Sequence, residues 1–194
     1  MVKHINPKKI SRAARGKSTC HSFSGAKVKD VHQNFLESFK DEYDTVILHV
    51  GTNDLVNSDA DEVATSMESL IAFVRNRAIK VGISSVIKWF DGKVPLSKIA
   101  YYNTLIYRLC AKNNVSCINN DDIGKNLLNG SNLHSNKFGD KSLGSAFCTF
   151  VKPVINSHDA ATQSTTHQSF FQRPGRWSKE WTNYLRFVKR RLSK

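Results

Sequence analysis

Three residues in this sequence have the types that an acyl-transfer site needs. Gly25 stands in 22-SFSGAKVKDV-31, Asn53 in 45-TVILHVGTNDL-55 and His134 in 129-NGSNLHSNKFGDKSLGSAF-147. A glycine backbone N–H and an asparagine amide are donors that can hold an oxyanion. An imidazole titrates near neutral pH and can act as a general base. The neighbouring polar residues read differently. Asp54, beside Asn53, is expected to cap the segment immediately after it. His49, inside an apolar run, is expected to be a satisfied core histidine. His4, His21, His32 and His49 have no mutual ligand spacing, so no metal site is expected, and no cofactor is expected either.

The elements that must position these residues alternate along the chain. Apolar residues recur at helical spacing at Val28, Val31, Phe35 and Phe39, at Val63, Met67, Leu70, Ile71 and Val74, and at Ile99, Tyr102, Ile106, Leu109 and Cys110. A fourth helix is expected over 137–150, with Leu143, Phe147 and Phe150 facing inward. Between the helices lie runs of strand type at 17–23, 45–50, 82–88 and 115–119. Such alternation predicts a parallel sheet covered on both faces. Right-handed crossovers then bring every strand's C-terminal end to one edge, beyond which ligands bind in open sheets. Gly25, Asn53 and His134 all fall in loops at that edge.

The chain has 194 residues, 40% of them hydrophobic, which suits one domain with an appendage. No run of about 18 apolar residues is present, so no transmembrane segment is expected. The basic N-terminus has no apolar core segment and does not read as a secretory signal. Cys20, Cys110, Cys117 and Cys148 lack metal spacing and read as reduced, buried thiols of an intracellular, cytoplasmic protein.

The net charge of +13 is unevenly placed. Residues 1–30 hold eight Lys and Arg against one acid, and 156–194 hold eight against two, while 31–155 is neutral. Two basic ends on a neutral body can meet a nucleic acid through its phosphates. Residues 156–175 are polar and read as a linker. Residues 176–194 read as a basic amphipathic helix, with Trp177, Trp181, Tyr184, Leu185, Val188 and Leu192 on one face.

Four ordered blocks carry a resemblance: SFSGAKVKDV, VILHVGTNDL, GISSVI and LHSNKFGDKSLGSAF. Together they resemble the SGNH/GDSL hydrolase superfamily, and more closely the SGNH-like domains of animal transposable-element proteins. The resemblance covers about residues 1–152. It implies a three-layer α/β/α, flavodoxin-like fold over 1–155, and in the ancestor an activity on small carboxylic esters. It also implies that Gly25 and Asn53 are the oxyanion donors and that His134 is the general base.

Two departures stand against that pattern. The family nucleophile is a Ser in a Gly-Asp-Ser motif at the end of the first strand, and 1-MVKHINPKKIS-11 resembles the family stretch that begins just after that Ser. The first strand and the nucleophile are therefore expected to be missing, a truncation at the N-terminus. The triad acid, three residues before the His, is here Ser131. Ser22 and Ser24, flanking the glycine with His21 adjacent, are weak substitutes for the nucleophile. The resemblance thus implies a degenerate, inactive esterase relative, with a nucleic-acid-binding accessory of a mobile element as the alternative. In the family the first strand lies between the second and third. Its loss predicts that strand 17–23 pairs directly with strand 45–50, that another segment is recruited, or that the fold is weak.

Overall fold

The computed structural model describes residues 18–23, 25–38, 43–159 and 184–189. In chain order the elements are β1 (Ser18–Ser22), α1 (Val28–Ser38), β2 (Tyr43–His49), α2 (Ala60–Arg75), β3 (Ala78–Ser84), α3 (Leu96–Lys112), β4 (Ser116–Ile118), α4 (Lys137–Asp159) and β5 (Tyr184–Lys189). Single 3₁₀ turns at Asp54–Val56 and Lys125–Leu127 lie in the loops.

The sheet has the order β1-β5-β2-β3-β4. β2, β3 and β4 pair in parallel, with Val46 opposite Val81 and Ile83 opposite Cys117. β1 runs in the same direction, because β5 is antiparallel to both β1 and β2. Strand alternation then sorts the side chains. Ile47, His49, Lys80, Gly82 and Ser84 face α4: the His49 ring meets Phe147 edge-on at 6.1 Å, and Lys80 Nζ donates to Phe150 O at 2.8 Å. Val46, Leu48, Val81 and Ile83 face the other layer, where α1 packs on α2, α2 packs on α3, and α2 also lies on β3. The result is the expected three-layer α/β/α arrangement.

Both layers are apolar because the helices present their predicted stripes. Val28, Val31 and Phe35 of α1 are buried, as are Val63, Met67, Leu70, Ile71 and Val74 of α2, and Ile99, Tyr102, Ile106 and Cys110 of α3. Each such side chain taken from water contributes about 1.5–3 kcal/mol. No helix among the described residues is long and apolar enough to cross a membrane.

Three expectations are corrected here. The third strand is 78–84, not 82–88. The chain leaves the sheet after Ser84 because Val86 is gripped from the side. Asn103 Oδ1 accepts from Val86 N at 3.1 Å, and Asn103 Nδ2 donates to Val86 O at 3.0 Å. The fourth helix continues to Asp159, so residues 156–159 are helical where a linker is expected.

The third correction concerns the tail. Residues 184–189, expected within an amphipathic helix, form a strand, while the rest of 176–194 and most of the linker lie outside the described residues. This strand fills the expected gap. Ser22 and His49 both pair with Tyr184, and Cys20 and Ile47 both pair with Arg186. Of the three ways to close the sheet, recruitment of another segment is the one adopted. A helix would satisfy its own backbone but leave the facing edges of β1 and β2 open. A strand satisfies all three.

Candidate active site

The loop after β2 is built on Gly51, which has φ +117°, a conformation that only glycine adopts readily. It turns the chain beneath the buried ring of Tyr102, and Leu55 N donates back to Gly51 O at 3.3 Å. Asn53 and Asp54 then point across to the loop after β1. Asn53 Nδ2 donates to Ala26 O at 3.1 Å. An amide nitrogen has two protons, so this bond orients the group while leaving the second N–H for a ligand. Gly25, at φ +70°, is exposed in the turn that precedes Ala26. The two expected oxyanion donors are thus held on adjoining loops.

Asp54 fastens the same two loops. Its carboxylate accepts from Val28 N at 3.1 and 3.2 Å through its two oxygens. It therefore caps α1, 26 residues back in the chain, and not the segment immediately after it. The expected cap role is right in kind and wrong in partner. The carboxylate is buried, and burial raises its pKa, opposed by the bond from Val28 and by Lys27. For an acid raised on folding, the unfolded chain ionises first. Stability therefore falls as the pH rises from the ordinary carboxylate range through the folded value. Asp54→Asn keeps an acceptor for Val28 and removes the buried charge, so its urea midpoint at pH 7 is expected to equal or exceed that of the parent. Asp54→Ala loses the cap and is expected to cost about 1–2 kcal/mol. Equal midpoints for Ala and Asn would remove the capping role.

His134 stands on a third loop, held by backbone and asparagine bonds. Asn129 N donates to His134 O at 2.7 Å, Leu128 and Ser135 form an antiparallel bridge, and Asn132 adopts φ +53°. Asn136 anchors the loop to α4. Its Oδ1 accepts from Phe138 N at 2.9 Å and Gly139 N at 3.1 Å, which caps the helix. Its Nδ2 donates to Asn126 O at 3.0 Å and Leu128 O at 2.9 Å. Ser135 Oγ donates to the buried Asp140 carboxylate. Phe90 N donates to Asn132 O at 2.7 Å and joins this loop to the one after β3.

The imidazole itself is half-buried, and burial lowers its pKa. That lowering favours the neutral imidazole, the form a general base requires. Its Nδ1 is buried and has no hydrogen-bond partner among the described residues. Ser131, at the position of the triad acid, does not supply one. Its Oγ donates to Asn129 Oδ1 at 2.6 Å, and Ser131 is exposed.

The remaining candidates fall as described in turn. His49 is buried, with Nδ1 2.9 Å from Ser84 Oγ. Asn120 Nδ2 donates to Ser84 Oγ at 2.8 Å and also to Ser85 O, while Asn120 N donates to Ser85 Oγ at 3.0 Å. The ends of β2, β3 and β4 are thereby tied by a buried polar ladder, in which His49 is a satisfied core histidine as expected. His21 stacks on Phe23 at 6.4 Å, and burial lowers its pKa. Ser24 and the side chain of Ser22 lie outside the described residues. A cavity of about 230 Å³, lined in part by Tyr43, Arg75 and Arg77, lies at the opposite edge, where β2 and β3 begin. Asn136, Asn120 and Asp54 are the positioning residues that sequence reading assigned wrongly or not at all. Only Asn136 had a local signal, an asparagine directly before a helix.

No family model matches this sequence, and no curated protein is similar to it. Solved structures are. A lipase/acylhydrolase from Enterococcus faecalis superposes with a TM-score of 0.56 at 18% identity, over 66% of this chain and 72% of that one. The acetyl xylan esterase AlAXEase gives 0.58 at 20% identity, over 66% and 77%. A member of the lipolytic G-D-S-L family from Veillonella parvula gives 0.54 at 18% identity, over 63% and 73%. The fold is that of the SGNH hydrolases. At these identities the likeness carries the fold alone. Within that fold, Gly25, Asn53 and His134 occupy the loops at the C-terminal edge of the sheet.

Proposed function

We propose that this chain is an SGNH-type serine ester hydrolase scaffold that keeps the oxyanion donors Gly25 and Asn53 and the imidazole of His134 but turns over esters poorly or not at all. One observation carries the reading. The sheet position between β1 and β2, from which the resembled family presents its Ser, is taken by Tyr184–Lys189 running antiparallel. A base and an oxyanion hole with no nucleophile to activate give little covalent catalysis. The Nδ1 of His134, unpartnered among the described residues, supports the same reading, because none of their carboxylates stabilises the imidazolium that proton transfer would create.

The test uses the 194-residue protein with p-nitrophenyl acetate and butyrate and with a fluorophosphonate that labels activated serines. No labelling is expected, and hydrolysis should not exceed that of His134→Ala. A turnover abolished by His134→Ala would overturn the proposal.

Restoring the acid tests the geometry of the loop. Ser131→Asp puts a carboxylate three residues before the imidazole, and a nearby negative charge favours its charged form. The His134 titration, followed by NMR, is expected to move upward by about 1 pH unit. An unchanged midpoint would show that this position does not reach the ring.

The charge distribution favours a second reading, a nucleic-acid contact made by the basic ends 1–30 and 156–194. Binding to RNA or DNA should weaken steeply with salt, survive His134→Ala and be lost on removal of 173–194. Absence of binding at low salt would dismiss it.

A further inference from the structure

Among the described residues β1 has one neighbouring strand, β5, whereas β5 has two. Among these residues, the strand that leads into Gly25 therefore joins the strand that leads into Asn53 within the sheet through residues 184–189, while Asn53 and Asp54 join the loops beyond them to Ala26 and Val28. The register places this junction at the functional edge, because Tyr184 is opposite both Ser22 at the end of β1 and His49 at the end of β2. β1 and β2 run parallel to each other and stand two strand spacings apart, about 9.6 Å. That is too far for direct pairing and wide enough for one extended segment.

We propose that the gap between β1 and β2 is a strand-acceptor site for an extended peptide, and that its occupant is this chain's own 184–189 segment, bound in cis, which sets the Gly25 loop against Asn53. The strand placement stands without the hydrolase reading, and only the consequence for Gly25 as an oxyanion donor rests on it.

Three features support the assignment. Strand addition of this kind is recognised by backbone hydrogen bonds, and β5 makes them on both sides. The text YLRFVK contains Tyr, Phe and Val, which favour extended backbone. In the sequence it is followed by a basic run, Arg190 and Arg191 next to Lys189, a charge pattern that disfavours strand pairing in general. Because β5 joins β1 from more than 160 residues away in the chain, its closure has a large entropic cost and few local contacts to offset it. The segment is accordingly the exchangeable part of the sheet. With β5 released, β1 loses the one sheet partner it has among the described residues, and β2, β3 and β4 keep each other.

Amide hydrogen exchange on the full chain tests this. Phe187→Pro removes a backbone N–H from the middle of β5. It is expected to speed exchange at 18–22 by about 100-fold or more, while 78–84 and 116–118 keep their protection. A second measurement covers a variant that fails to fold: a protease site placed within 160–183 is cut in the otherwise unchanged protein, and a labelled synthetic 184–194 peptide is added. The labelled peptide is expected to replace the cut fragment and to maintain protection at 18–22. Unaltered protection in Phe187→Pro would overturn the proposal, as would a cut protein that does not take up the peptide. Protection at 18–22 that depends on protein concentration, with a dimer in sedimentation, would mean a second copy donates the strand and would overturn binding in cis. None of these readouts depends on ester turnover.

Discussion

Gly51→Ala is expected to destabilise the protein by about 2–6 kcal/mol, read as a lower urea midpoint. Two costs combine. At φ +117° an alanine is strained by about 1–3 kcal/mol. Its Cβ would also stand 2.6 Å from Tyr102 Oη and 3.1 Å from Tyr102 Cζ, an overlap with a ring that is fully buried and cannot swing away. Overpacking of this sort costs about 1–3 kcal/mol. The hydroxyl at the point of contact is itself buried without a hydrogen-bond partner among the described residues, and burial pushes its pKa well up. Tyr102→Phe should therefore be neutral or stabilising, since it removes an unsatisfied polar group. The double variant should recover part of the overpacking cost and none of the backbone strain, which a double-mutant cycle separates. A single Gly51→Ala variant within about 1 kcal/mol of the parent would refute this account of the loop that carries Asn53.

Asn136→Ala is the second large effect, and it falls on the His134 loop. The side chain makes four hydrogen bonds, two capping α4 and two to the carbonyls of Asn126 and Leu128. Loss of the cap costs about 1 kcal/mol and each bond to a carbonyl about 0.5–1.5 kcal/mol. The expected total is about 2–4 kcal/mol, accompanied by faster amide exchange over 129–135. Asn136→Asp retains the capping oxygen and loses the donors, so about half of the loss should remain. If Asn136→Asp proves as stable as the parent, the two donated bonds do not hold the loop.

The two variants bear on opposite halves of the candidate site, and the halves are not equally legible in the sequence. The oxyanion half is. A glycine after one apolar strand and an asparagine after another define their own loops, and the parallel topology places those loops together. What the pattern does not supply is the bond that joins them. Asp54 looks like a cap for its own segment, and only the packing of α1 beside the β2 loop reveals Val28 as its partner. The histidine half is legible as a residue but not as a geometry. Ser131 has the right spacing for an orienting group. Its hydroxyl goes to Asn129 because that acceptor lies two residues away in the same turn.

The sequence by itself determined the order of strands and helices from β1 to α4, the stripes that bury Val63 to Val74 and Ile99 to Cys110, and the shared edge of Gly25, Asn53 and His134. These arise from periodicity and local turn chemistry, which nearby residues settle among themselves. Only the tertiary structure decided the state of 184–189. The text YLRFVK, with apolar residues at 184, 185 and 188, fits a helix face as well as a strand, and nothing near it in the chain breaks the tie. The two open edges of β1 and β2 break it, because their unpaired backbone groups are satisfied by an extended segment and not by a helix.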